Sequence, residues 1–112
     1  MSRSHRVRWT ERAVRDVEGI LDWVEGDSGL ETARAVYGAI ESALGTLAEM
    51  PVRCRVVAEL REHGITAYRE LACEPYRIVF RVRGRVVVLL GVFDRRRDLE
   101  ELLLERALEH DS

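Results

Sequence analysis

YRELACEPYRIVFRVRGRVVVLLGVFDRRRD, residues 68–98, is the stretch whose reading decides the fold. Within it Tyr76, Ile78, Phe80 and Val82 alternate with Arg77, Val79, Arg81 and Arg83. A period of two puts these sets on opposite faces of a strand, one apolar and one largely cationic. Arg83-Gly84 supplies a short turn, because glycine accepts the positive φ that tight turns require. Residues 85–93, RVVVLLGVF, are apolar on both faces, which predicts a central strand. Upstream, residues 67–71 read as a shorter strand, closed off by Glu74-Pro75. The connections are only a few residues long, so antiparallel pairing of the three is the shortest route.

On the N-terminal side, RVRW at residues 6–9 reads as a first strand. Thr10 suits a helix N-cap, and Glu11 complements the positive end of a helix dipole. Ala13, Val14, Val17, Ile20, Leu21 and Val24 recur at helical spacing, with Trp23 at the edge of the stripe. They predict a helix over 11–25, stopped by Gly26-Asp27-Ser28-Gly29. A second helix over 30–49 carries Ala33, Val36, Ile40, Ala43, Leu44 and Leu47, and Pro51 ends it. Both stripes need a cover, and the apolar sheet face is the surface of adequate size. Residues 51–66 read as irregular, with a turn at His63-Gly64. Asp98 and Glu101 have capping-box spacing, and Leu99, Leu102, Leu103 and Ala107 predict a last amphipathic helix. The tail 110–112 is read as fraying. The class is therefore α+β: an N-terminal strand, a helical hairpin packed on a mainly antiparallel sheet, and a short C-terminal helix.

A length of 112 residues predicts one domain over 1–112. Apolar residues make up 46% and charged residues 34%, which excludes a disordered chain. All 18 basic residues are arginine, and the net charge is −2. Residues 53–97 hold 11 arginines against 5 carboxylates, a balance of +6, between segments 1–52 at −3 and 98–112 at −5. Such segregation points to one locally cationic surface, not to a protein that coats itself in nucleic acid. Cys54 and Cys73 have neither CxxC nor Cys/His spacing, and no cofactor or metal motif is present. Without a signal peptide or transmembrane run the chain reads as cytoplasmic, with both thiols reduced.

Four blocks in fixed order carry a family likeness: WTERAVRDVEGILDWV at 9–24, MPVRCRVVAELREHGITAYREL at 50–71, PYRIVFRVRGRVVVLLGVF at 75–93 and RRDL at 96–99. Together they resemble the RelE/ParE toxins of type II toxin–antitoxin systems, and the ParE-like branch most. Cys54, Ala58 and Asp94-Arg95 depart from the residues common in that family. The resemblance implies a toxin neutralised by a cognate antitoxin in a hetero-oligomer. In the ParE-like branch it implies a DNA gyrase inhibitor. Two rivals stand beside this: a RelE-like ribosome-dependent mRNA endonuclease, and a degenerate, non-toxic antitoxin-binding module.

The residues bear on this choice. Cleavage of RNA through its 2′-OH needs a proton acceptor, a donor and a cation. His5, His63 and His110 lie in unrelated parts of the chain, so an RNase would rely on Arg77, Arg81 and Asp94, with Tyr76 as the alternative to Asp94 in proton transfer. A chain at −2 also fits a dense phosphate surface poorly. The preferred reading is action by binding, with no catalytic residue and no sequence-specific contact to nucleic acid by the toxin alone. Arg69, Arg77, Arg81, Arg95, Arg96 and Arg97 are the candidate target-binding residues, because arginine forks pair with carboxylates in fixed geometry. Trp9, Leu21, Trp23, Val24, Leu99, Leu102 and Leu103 are the candidate antitoxin anchors, since a tail that folds on binding needs apolar and aromatic footholds.

Overall fold

The structure is a computed structural model that describes residues 5–111; residues 1–4 and Ser112 lie outside the described residues. Strand β1 (Arg6–Trp9) leads into helix α1 (Glu11–Ser28). Thr10 caps that helix. Its hydroxyl accepts from the Ala13 N–H at 3.2 Å and donates to the Leu89 carbonyl at 2.7 Å, which also ties the helix start to the sheet. The helix runs three residues past its expected end at 25. Gly29 alone, at φ +93°, turns the chain into α2 (Leu30–Glu49).

The segment read as irregular holds three short elements. A 3-10 turn (Pro51–Arg53) precedes strand β2 (Arg55–Val56) and the one-turn helix α3 (Ala58–Arg61). Strands β3 (Tyr68–Cys73), β4 (Tyr76–Arg83) and β5 (Val86–Asp94) follow, then α4 (Glu100–Asp111). Helix α4 continues through Asp111, so the expected fraying does not begin at 110; Ser112 lies outside the described residues. Asp98 accepts from the Glu100 N–H at 3.4 Å, not from Glu101 as capping-box spacing implied.

The sheet order is β1-β5-β4-β3-β2. The β3-β4-β5 trio is antiparallel, as its short connections require, and β1 adds parallel to β5. In the β4–β5 ladder Val79 faces Gly91 and Phe80 faces Leu89, so Leu90 is the extra residue of a bulge. The bulge lets Leu90 and Phe93 join one face of the sheet and Val92 the other.

The helical hairpin covers one face. Ala13, Val17, Ile40 and Leu47 pack on Ile78, Phe80, Val87, Leu89 and Val92. Val14, placed in the stripe by its spacing, is 41% exposed and lies outside this core. The opposite face is not the open cationic surface that alternation in β4 predicted. Tyr68, Val79, Leu90 and Phe93 form a second core under Val57 and Leu60 on the α3 side and under Leu99, Leu103 and Ala107 on the α4 side. Two short helices, one of them invisible to periodicity at four residues, close the second face. No helix among the described residues is long and apolar enough to cross a membrane.

Candidate functional site

A cleft of about 490 Å³ opens where β5 runs out beyond β1 and the chain turns toward α4. Arg15, Ile20 and Trp23 of α1 form one wall. Tyr76, Val92 and Asp94 form the floor, and Arg96, Arg97, Leu99 and Leu102 the other wall. The loop between β5 and α4 is held by its own first residue. Asp94 accepts a bidentate pair from Arg96 at 2.9 and 2.6 Å and the Arg96 N–H at 2.9 Å. The Asp94 carbonyl accepts the Arg97 N–H at 3.2 Å. Trp23 is 63% exposed at the rim.

The electrostatics of the cleft bear on proton transfer. Hydrogen bonds from the Arg96 side chain, then from its backbone N–H, hold the Asp94 carboxyl down at about 2. Burial, then the nearby Asp94 charge, pushes the Tyr76 phenol up. Asp94 thus stays ionised and weakly basic, and Tyr76 stays protonated. Neither is tuned to accept or donate a proton near neutral pH.

The six candidate target arginines do not share one surface. Arg96 and Arg97 line the cleft. Arg77 and Arg95 line a separate groove with Arg55, Arg61, Glu59 and Glu70. There Arg77 is clamped by two carboxylates, bonding Glu70 at 2.6 and 2.9 Å and Glu59 at 2.6 and 2.8 Å. Arg95 pairs with Glu74. Arg69 donates to the Cys54 carbonyl at 2.6 Å. Arg81 stacks over the Tyr68 ring, 5.4 Å from its centroid.

The candidate antitoxin anchors divide by burial. Val24, Leu99 and Leu103 lie in the interior, at 5%, 2% and 0% exposure. Leu102 and Trp23 border the cleft. Half-buried Leu21 lines a shallow groove between α1 and α2 with Leu30 and Tyr37. Half-buried Trp9 lines a third groove, between β1 and α2.

Two features escaped the sequence reading. Half-buried Asp16 and buried Arg106 form an ion pair at 2.8 Å across the rim of β5. Arg6, Arg8, Arg83 and Arg85 are exposed at the ends of β1, β4 and β5; of these the sequence reading placed only Arg83 on a cationic strand face. Both cysteines are free and half-buried, and burial pushes each thiol up. Among the described residues no His, Cys, Asp and Glu side chains gather into a metal-holding group.

A hairpin-covered, mostly antiparallel sheet with β1 alongside β5 is a RelE/ParE-like fold. Over residues 7–99 the sequence matches the family described as ParE toxin of type II toxin–antitoxin system, parDE, and the chain belongs to that family. Among solved structures it is similar to a chain of the chromosomal ParDE system from P. aeruginosa. That match has 22% identity and a TM-score of 0.66, covering 83% of this chain and 98% of the other. It is also similar to a chain of a RelBE toxin–antitoxin complex from Mycobacterium tuberculosis, at 22% identity and a TM-score of 0.58, covering 87% and 98%. At that identity both likenesses concern the fold. No curated protein matches the sequence.

Proposed function

We propose that this chain arrests bacterial growth by binding a target protein, DNA gyrase, in the cytoplasm, and that a cognate antitoxin holds it inactive. One observation carries the choice of binding over cleavage: the proton-transfer candidates of the cleft are tuned the wrong way. Asp94 is held ionised by Arg96, and the Tyr76 phenol is pushed up. Arg77, which an RNase would present to phosphate, has its fork closed by Glu59 and Glu70. The cleft meets the needs of protein recognition instead. Trp23 supplies an exposed aromatic anchor, Leu102 an apolar wall and Arg97 an exposed cation. The antitoxin part of the reading draws on the family and on the two similar complexes, each a toxin–antitoxin pair.

Expression without antitoxin, in cells carrying a DNA-damage reporter, tests the reading. Growth arrest with the reporter switched on is the expected result. Growth arrest with a silent reporter and mRNA cut at ribosomal A sites would replace it with the endonuclease reading. Unimpeded growth at full expression would point to the degenerate module.

A further inference from the structure

We propose that an acidic segment of the target protein docks in the notch over Gly19, with an apolar side chain entering the notch and carboxylates meeting Arg15 and Arg97. This site rests on the reading that the chain acts by binding a protein target. Arg15, Gly19 and Trp23 stand four residues apart along α1, and all three line the cleft. A spacing of four puts them in one row on one helix face, each about 6 Å along the axis from the next. The middle member has no side chain, and a Cβ built there meets nothing within 4 Å. The row is therefore a cation, a gap and an exposed indole, in that order. Packing gives no reason for the glycine, although a glycine inside a helix costs stability relative to alanine. Across the cleft from this row stand Leu102 of α4 and, on the loop before it, Arg97. Ile20 and Val92 give the gap an apolar lining.

The charges of the cleft select the occupant. Its own carboxylates are already answered, Asp94 by Arg96 at 2.6 Å and Asp16 by Arg106 at 2.8 Å. Arg15 and Arg97 are exposed, and neither makes an ion pair among the described residues. One open guanidinium on each wall favours an anionic segment between them, and each can grip a carboxylate through two parallel hydrogen bonds. A nucleic-acid strand fits less well. Its phosphates call for a continuous positive row, whereas here apolar side chains and the carboxylates of Asp16 and Asp94 stand between the two cations. Tryptophan and arginine around one apolar concavity is the composition of a binding hot spot, where the surrounding contacts exclude water from the anchor. An indole left at the rim has the most area to gain from being covered.

Trp23 fluorescence reports occupancy, so the full chain is titrated with a blocked synthetic peptide of two leucines flanked on each side by two glutamates. The same peptide with glutamine or arginine in place of glutamate serves as the comparison. The acidic peptide is expected to blue-shift the emission and to bind at least about tenfold more tightly than the glutamine peptide. The arginine peptide is expected not to bind, and Trp23→Phe to remove the signal. Gly19→Leu fills the notch from a Cβ that meets no neighbour. It is expected to keep Tm at or above the wild-type value and to weaken the acidic peptide by about tenfold. Arg15→Gln with Arg97→Gln is expected to abolish the preference for glutamate over glutamine. No shift with the acidic peptide at millimolar concentration, equal affinity for the acidic and glutamine peptides, or unchanged affinity in Gly19→Leu overturns the proposal. Growth arrest with the DNA-damage reporter separates the site from the reading beneath it. If wild type and both cleft variants arrest growth equally with the reporter on, the docking site fails and the binding reading stands. If wild type itself leaves the reporter silent, the binding reading fails and the site with it. If the cleft variants lose co-purification with the protein of the neighbouring gene, the cleft belongs to the neutralising partner and its assignment to the target is overturned.

Discussion

Gly91 shows how one missing side chain lets a charge pair cross a strand. A Cβ built there lies 2.6 Å from Arg106 Nη1, Asp16 Oδ2 and Phe93 Cζ. That space is filled by a contact set joining three elements. Arg106 of α4 bonds Asp16 of α1 at 2.8 and 3.2 Å, donates to the Leu90 carbonyl at 3.1 Å and sits 5.0 Å from the Phe93 ring centroid. Asp16 in turn accepts the Val92 N–H at 3.1 Å. The edge of β5 past the end of β1 is thus satisfied by side chains instead of a neighbouring strand. Gly91→Ala is expected to lower stability by about 2 kcal/mol, because the guanidinium and carboxylate must both give way. Asp16→Ala is expected to cost about 3–5 kcal/mol, since it leaves Arg106 buried without its counter-charge. Adding Arg106→Met to Asp16→Ala should recover part of that loss, and urea unfolding of Asp16→Ala, Arg106→Met and the double variant reads the coupling. If the double variant is as unstable as the sum of its parts, the pair is not the origin of the effect. None of this is legible in the sequence. Asp16 sits among the polar positions of an amphipathic helix, its partner is 90 residues away, and a lone glycine in an apolar run reads only as a possible kink.

At the scale of elements, length governs what the sequence discloses. The two long helices and the three strands of residues 68–94 declare themselves through sustained periodicity. Strand β2 has two residues and α3 has four, too few to show any period, and their identity comes from tertiary contacts. For α3 the contact is Arg77. It reaches from β4 to Glu59 on the helix and to Glu70 on β3, where Glu70 is only 4% exposed. A strand arginine that looked free for a target is thus a tether for the helix covering it. Arg77→Ala is expected to destabilise the fold by about 3–5 kcal/mol, because a buried carboxylate loses its partner. Arg97→Ala is expected to leave the melting temperature unchanged and to weaken growth arrest. Measuring both quantities for both variants separates a tether from a contact residue; loss of arrest in Arg77→Ala with an unaltered melting temperature would reverse the assignment. The same tether sets a pH dependence. The hydrogen bonds from Arg77 hold the Glu59 carboxyl below the ordinary glutamate range. A depressed carboxyl adds stability above the unfolded pKa, about 4.3 for glutamate, and loses it as pH falls through the folded value. Stability is therefore expected to hold through neutral pH and to decline below about pH 4.3, with a shallower decline in Glu59→Gln.

For the molecule as a whole, the two faces of the sheet are covered by unequal layers. The hairpin of α1 and α2 is 18 and 20 residues long and packs as a unit. The other layer is a four-residue helix and a twelve-residue helix, joined by Leu60, Leu99, Leu103 and Ala107. Polar contacts hold α4 at its margins: the ion pairs Asp16–Arg106 and Arg12–Glu109 to α1, and a 3.2 Å His63–Glu100 hydrogen bond to the turn after α3. Segregation of charge along the chain, visible in the sequence, thus ends in pairing both within and between segments. Glu109 of the C-terminal segment meets Arg12 of the first helix, Arg106 meets Asp16, and carboxylates of the middle meet its own arginines. What the sequence read as one cationic surface is divided into a clamped arginine, a cleft margin and a separate strand-end patch, because strand pairing and helix cover decide which guanidinium groups remain exposed. The thinner layer should open first. Amides of α4 are expected to exchange by a local opening of lower free energy than those of α2, β4 and β5. Raising salt to about 1 M screens the exposed pairs and should speed α4 exchange selectively, since the Debye length falls to about 3 Å. A chain ending after Asp98 takes the argument to its limit. It uncovers Tyr68, Val79, Leu90 and Phe93 and leaves Asp16 beside Val92 without its guanidinium. Such a chain is expected to keep the hairpin-covered face folded, bind a hydrophobic dye and self-associate on size-exclusion chromatography. If it stays monomeric, binds no dye and melts with the intact protein, the second core contributes little and the unequal-layer account fails.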